Sequence, residues 1–304
     1  VALPNPVMTA SGTAGHGAEL GAYFDLSQLG AVVVKSLSAE LWAGNPPPRV
    51  HETDGGMLNS VGLQNPGVQA WCEGELPGLV AAGARVVASI WGHTTEGFAK
   101  AASMLAGCPP AVVAVEVNLS CPNLRGGHAG GGGRNHQVFA HSAEATGEAV
   151  AAVVGAGPGR PVWAKLSPNV VDLVPIAAAA LDAGAEALTL VNTVMGMAID
   201  PATRRPRLGA GSGGLSGPAI RPVAVRAVYE VRRALPGAAI VGVGGVARGE
   251  HAAELLAAGA DAVQVGTATF ADPRAPLRVA EELRRWCERH RVARLADLIG
   301  SAHA

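Results

Sequence analysis

The nine residues Val115-Glu116-Val117-Asn118-Leu119-Ser120-Cys121-Pro122-Asn123 join an alternating apolar run to an amide, a thiol and a proline. A glycine-rich stretch, residues 124–137, follows directly. This is the pattern of a buried strand that delivers reactive groups to its own C-terminal end. A thiol with an ordinary pKa of about 8.5 accepts a proton once its surroundings match that value to the task. For an arbitrary cysteine the default is an inert buried thiol. Cys121 departs from that default because it precedes a proline and a loop, unlike Cys287 on a helix face. His128 and His136 lie in the loop, but no spacing orients either as the partner that a nucleophilic cysteine needs. A general base is therefore preferred over a nucleophile.

The chain has only three lysines, Lys35, Lys100 and Lys165. Lys35 ends Val-Val-Val-Lys and Lys165 sits in Trp-Ala-Lys-Leu, both apolar strand runs. A charged amine inside a two-sided buried strand costs several kcal/mol unless paired. One reading is a structural ion pair, with Glu116 as a candidate partner. The favoured one is a cation held against an electron-rich ring or an anionic ligand. Asn59, Asn118, Asn123 and Asn192 add neutral amides, each offering donor and acceptor to a ring of alternating N–H and C=O groups. Turn preference alone explains asparagine in loops, but explains poorly Asn118 and Asn192, which end apolar runs. Gly242-Val-Gly-Gly-Val-Ala247 formally matches a dinucleotide turn, a weak signal by itself. A second glycine end, Gly266-Thr267, follows it. Glycine ends after the last two strands of a barrel hold a phosphate on backbone N–H groups, so a phosphate-bearing cofactor fits better than a dinucleotide.

Eight short apolar runs must position these groups: Pro6–Ser11, Ala31–Ser36, Arg85–Ile90, Ala114–Ser120, Val162–Ser167, Ala187–Thr193, Ala239–Gly245 and Ala262–Ala268. Helical spacing lies between most of them, at Glu96–Leu105, Ser142–Val154, Val171–Ala183, Ala219–Leu235, Glu250–Ala258 and Pro276–His290. Near-continuous apolar strands alternating with helices argue an α/β fold with a parallel sheet, and eight such units argue a closed (β/α)8 TIM barrel. Polar and glycine residues collect at the strand ends, which share one face of a barrel. The connections Leu37–Pro66 and Val194–Gly217 are too long for plain loops and are expected as excursions over the C-terminal face. No boundary or repeat divides the chain, so residues 1–304 are expected to form a single domain.

The totals agree. The 304 residues are 49% hydrophobic and 15% charged, ample for a large core, and the net charge of −1 gives no basic field for nucleic acid. Four cysteines without a CxxC pair build neither a zinc site nor an iron–sulfur cluster from this chain alone, and scattered thiols fit a reducing cytoplasm. No apolar run reaches the roughly 18 residues of a membrane span, and no signal pattern opens the chain. The sequence starts at Val1 without a Met, so a few leading residues are expected to be missing.

Asn118-Leu-Ser-Cys-Pro-Asn123 resembles the catalytic segment of the dihydroorotate dehydrogenases. The resemblance extends over nearly the whole chain, through Asn5–Gly12, Gly44–Val50, Gly55–Gly67, Lys165–Asn169, Val191–Thr193, Gly213–Ile220 and Val241–Val246. Cysteine rather than serine at 121 is similar to the soluble class 1 enzymes. Gly55–Gly67 and Gly213–Ile220 look most like class 1B, whose catalytic subunit works beside a subunit carrying FAD and a 2Fe–2S cluster. The resemblance implies FMN at the barrel mouth, contacted by Ser11, Lys35, Ser36, Ser89, Asn118, Lys165, Val191, Gly217, Gly244, Gly245, Gly266 and Thr267. It implies dihydroorotate and orotate contacts at Lys35, Asn59, Ser60, Val61, Gly62, Leu63, Asn118, Asn123, Asn192 and Thr193, with Lys35 and Cys121 catalytic. Cys121 would take a proton from C5 while hydride leaves C6 for flavin N5. A homodimer, an FAD/2Fe–2S partner and a cytoplasmic place in pyrimidine biosynthesis are implied alongside. Two departures stand out: Ser89 replaces the family's usual Asn, and the loop Arg125–Gln137 is longer and richer in glycine, yet is expected to close over Cys121. Competing expectations are a flavin barrel acting on another pyrimidine or dihydropyrimidine, and a barrel that only binds a phosphorylated ligand.

Overall fold

The computed structural model describes residues 1–120 and 138–303. Eight parallel strands form one sheet, each inside a run expected from the sequence or within two residues of it. They are Val7–Thr9 (β1), Val32–Val33 (β2), Val86–Ile90 (β3), Val112–Asn118 (β4), Val162–Lys165 (β5), Ala187–Leu190 (β6), Ile240–Val243 (β7) and Ala262–Val265 (β8). Neighbours follow chain order from β2 to β8. β8 then pairs with β1, Val7 opposite Val263. The Met8–Ala31 bridge and the bond from Thr9 N–H to the Ala31 carbonyl bring β1 to the segment entering β2 and close the cylinder. The TIM barrel is as expected.

Side chains alternate across a strand, and here the alternation separates two apolar layers. Val7, Val32, Val86, Val115, Val162, Leu188, Ile240 and Val263 face the helices as part of the main core. Met8, Val33, Val87, Ala114, Trp163, Ala187, Val241 and Ala262, one from each strand, plug the inside of the barrel. Two residues further along each strand, on the same inward face, stand Ala10, Lys35, Ser89, Glu116, Lys165, Thr189, Val243 and Gln264. The interior is thus dry at its N-terminal end and polar above, which puts both strand lysines on the side where the strands end.

The two long connections form a sheet of their own. Val50–Thr53 and Gly56–Asn59 make a hairpin around Asp54-Gly55, with Gly55 at φ +75°, the conformation an Asp-Gly turn favours. Gly213–Ser216 pairs antiparallel with Gly56–Asn59 on one side and Val194–Gly196 on the other. Excursions about 150 residues apart in sequence therefore share one antiparallel sheet, whose residues Val50, Met57, Asn59 and Ser216 line the cavity described below. Gly214 permits this closeness, since a Cβ there would stand 2.0 Å from Thr193 Oγ1. Helices Val68–Gly74 and Leu76–Ala81, missed in the sequence, lead from the first excursion to β3. Among the described residues no helix is long and apolar enough to cross a membrane.

Candidate active site

A cavity of about 420 Å³ opens at the C-terminal ends of the strands, within the usual range for small-ligand sites, roughly 300–1,000 Å³. Ser11, Lys35, Ser36, Asn118, Lys165, Val191, Asn192 and Thr193 line it from the barrel. Asn59, Val61, Gly62, Leu63 and Gly217 come from the excursions, and Gly244, Gly245, Gly266 and Thr267 from the ends of β7 and β8.

A chain of hydrogen bonds crosses the cavity floor. Ser36 is its hub: its Oγ accepts from Asn118 Nδ2 at 3.0 Å and lies 3.1 Å from Ser11 Oγ and 2.8 Å from Ser89 Oγ. A hydroxyl carries one proton, so Ser36 donates to one of these serines and accepts from the other. Asn192 Nδ2 donates to Ser120 Oγ at 2.8 Å and to Asn118 Oδ1 at 3.3 Å, and Asn192 Oδ1 accepts from the Thr193 N–H at 2.8 Å. Each bond removes an alternative orientation, so the floor presents both amides in one set direction.

Below the floor, Glu116 is fully buried on β4. Its Oε2 accepts from Thr189 Oγ1 at 3.0 Å and from Gln264 Nε2 at 2.8 Å. Its Oε1 has no hydrogen-bond partner and stands 3.7 Å from Lys165 Nζ, an ion pair too long for a hydrogen bond. The lysine is therefore held by charge rather than by a directed bond, and it lines the cavity at the same time. Lys165 thus forms the ion pair with Glu116 and also lines the cavity wall. Lys35 enters from β2, and its charge, after burial, helps hold the half-buried His16 imidazole below its ordinary range. Lys100 is on the surface, paired with Glu40.

At the opposite end, none of the backbone N–H groups of Gly244, Gly245 and Thr267 is taken up by another backbone carbonyl among the described residues. Gly244 has φ +135°, and a Cβ there would stand 2.7 Å from Ala224 Cβ, so the turn after β7 demands glycine. Thr267 Oγ1 donates to Ser216 Oγ at 2.8 Å, joining the β8 end to the excursion sheet. Donors at one end and cations with amides at the other suit an elongated anionic ligand with a polar ring system.

Ser89 and Ser60 do not line the cavity. Ser89 Oγ supports Ser36 from beneath, and Ser60 Oγ accepts from Asn45 Nδ2 at 2.9 Å. Cys121, Asn123 and the loop Arg125–Gln137 lie outside the described residues. Ser120, which precedes Cys121, belongs to the asparagine cluster. Sequence inspection missed Met57, Ser216, Asp272 and Arg278, all cavity-lining. Arg278 bonds Asp272, Glu282 and the Ala247 carbonyl; on a strongly amphipathic helix it looks like part of a solvated face. Among the described residues no group of His, Cys, Asp and Glu side chains is arranged to hold a metal ion.

The family model for dihydroorotate dehydrogenase matches residues 1–286. The chain belongs to the dihydroorotate dehydrogenase family. Its relatives agree over nearly full length. The dihydroorotate dehydrogenase B (NAD(+)) catalytic subunit of Pelobacter propionicus is 46% identical, with 98% of this chain and 95% of that protein covered. That of Alkaliphilus metalliredigens is also 46% identical, over 99% of this chain and 96% of its own length. A protein of Solibacter usitatus, provisionally named dihydroorotate dehydrogenase A (fumarate), is 48% identical over 99% of this chain and 95% of its own. The chain is accordingly an oxidoreductase that oxidises dihydroorotate, the family's step in pyrimidine biosynthesis, and the family is flavin-dependent.

Proposed function

We propose that this chain converts (S)-dihydroorotate to orotate with FMN in the cavity at the barrel mouth and Cys121 as general base. The observation that carries the proposal is the convergence of Lys35 and Lys165, from β2 and β5, on one cavity with Asn118 and Asn192. The residues present fit FMN. Gly244, Gly245 and Thr267 offer N–H groups to a phosphate, and Lys165 stands where a cation can offset charge gathering on a ring. When bound, FMN supplies the acceptor for the hydride lost from C6 of the substrate.

The chain's own residues do the rest. Asn118 and Asn192, fixed by the Ser36 and Ser120 hydroxyls, hold the pyrimidine edge without reorganising when substrate arrives. Asn59, Thr193, Asn123 and the Val61–Leu63 segment complete that contact, and Ser60 supports them through its bond with Asn45. Cys121, one residue beyond Ser120, takes the proton from C5. Lys35 carries a positive charge to the cavity wall, where an anionic substrate gains from it. Ser89 serves this arrangement through Ser36, a buried support in place of a cofactor contact.

The proposal extends to a single flavin-binding domain over residues 1–304, a cytoplasmic homodimer, and a partner subunit carrying FAD and a 2Fe–2S cluster. The phrase "catalytic subunit" in the names of the B-type relatives supports such a partner. The fumarate-type name of the Solibacter relative favours a second reading of the electron acceptor. Purified chain should be yellow, release FMN on denaturation and bleach anaerobically with dihydroorotate. A yellow protein that dihydroorotate leaves unchanged would indicate another pyrimidine substrate, and a colourless one a phosphate binder. NAD reduction that depends on a co-purifying flavoprotein identifies the B-type route; fumarate reduction by the chain alone identifies the other.

A further inference from the structure

We propose that Cys72 and Cys108 form a dithiol site that small-molecule disulfides oxidise to an intramolecular disulfide. The bond would tie helix Val68–Gly74 to the turn after helix Thr95–Ser103. The two sulfurs are 3.5 Å apart although the residues are 36 positions apart in sequence. Both thiols are free and half-buried, within reach of solvent. A disulfide needs a sulfur separation of about 2.05 Å, so an approach of roughly 1.5 Å, within reach of side-chain rotation, closes the bond.

Both backbones are already held. Cys72 lies in the last turn of its helix. The Cys108 N–H donates to the Leu105 carbonyl at 3.0 Å, and its own carbonyl accepts from Arg160 Nη2 at 2.8 Å. Arg160 also donates through Nε to the Val112 carbonyl, which fixes this turn against the start of β4.

The pair also has a division of labour. The hydrogen bond from Cys72 brings the Cys108 thiol down to about 7, with the Arg160 charge acting in the same direction. The same contact, reinforced by burial, pushes Cys72 up. Cys108 is then the attacking thiolate. It displaces one thiolate from a low-molecular-weight disulfide and becomes a mixed disulfide. Cys72 loses its proton, attacks the Cys108 sulfur and releases the second thiolate. Two protein thiols are oxidised, and one external disulfide is reduced to two thiols. Cys287, raised by burial, is the poorer nucleophile.

The test is to incubate the full chain, as purified with its cofactor, with oxidised glutathione at neutral pH. Free thiols, intact mass and crosslinked peptides are then read. The expected result is loss of two of the four thiols, a mass lower by about 2 Da, and a Cys72–Cys108 peptide. Cys72→Ser should instead accumulate a stable glutathione adduct on Cys108. Cys108→Ser should slow modification of Cys72 by about tenfold or more. Free Cys72 and Cys108 after wild-type treatment, or a disulfide joining either one to Cys121 or Cys287, would overturn the proposal. Mapping of the wild-type chain decides even if a variant fails to fold.

Discussion

Lys165→Met keeps most of the lysine's bulk and removes its charge, leaving the Glu116 carboxylate wholly buried with only the bonds from Thr189 and Gln264. At 3.7 Å and an effective dielectric constant of about 20, the attraction between the two charges is about 4–5 kcal/mol. Desolvation of both groups cancels much of that in the net worth of the pair, but a stranded partner keeps its own desolvation cost. Lys165→Met should therefore lower stability by about 2–4 kcal/mol. Glu116→Gln should cost less, about 1–3 kcal/mol, because the remaining amine lines a cavity and can recruit water. The double variant removes both charges, so its loss should fall short of the sum of the singles by about 1–3 kcal/mol. Urea unfolding of the four forms measures this cycle, and turnover with dihydroorotate is read on the same samples. Activity should follow a different rule. Lys165→Met should lose about a hundredfold or more in kcat, Glu116→Gln much less, and the double variant should recover stability without recovering turnover. Additive stability losses, within about 0.5 kcal/mol, would refute the electrostatic coupling. Recovery of turnover in the double variant would reduce Lys165 to a structural ion-pair member.

Cys121→Ala should keep its yellow colour and lose about 10²–10⁴-fold in turnover at neutral pH, measured by dihydroorotate oxidation with a dye; near-full turnover removes Cys121 from the role of base. Gly244→Ala forces a side chain into a backbone at φ +135° and against Ala224; it should cost about 1–3 kcal/mol of stability and weaken flavin retention, read by urea unfolding and by flavin content after gel filtration. His16 is held below its ordinary value of 6.5, by burial first and by Lys35 second. The folded protein then binds fewer protons there than the unfolded chain. The stability this gives is full above about 6.5 and is lost as pH falls through the depressed value. His16→Gln should flatten that part of the pH–stability curve; an unchanged acid limb would remove His16 from it.

The barrel was legible because near-continuous apolar runs in helix-covered strands leave few alternative folds, and all eight runs became strands. Lys35 and Lys165 were legible for the same reason: a charge in the inward register above an apolar plug has only the strand-end cavity to face. The excursion sheet was not, because its pairing joins segments about 150 residues apart, and glycine-rich strands carry little alternation. Asp54-Gly55 was the one local sign of its hairpin. Helix Leu76–Ala81 hid behind Pro77 and Gly78, although proline is tolerated in a first turn. Ser89 and Ser60 show a different limit. Sequence marks a polar residue beside the mouth, but whether its hydroxyl meets ligand or supports another hydroxyl depends on neighbours from other strands. The proximity of Cys72 and Cys108 was hidden for the same reason, since a helix and a turn 36 residues apart in sequence bring them together.

Anaerobic rapid mixing of the purified yellow protein with dihydroorotate tests most directly whether thiol, amides and amines act on one substrate at one flavin. Full bleaching in the wild type within a single turnover, and slowing by about 10² or more in Cys121→Ala at unchanged flavin content, is the predicted result. Flavin that stays oxidised in the wild type, or bleaches equally fast without the Cys121 thiol, would contradict it.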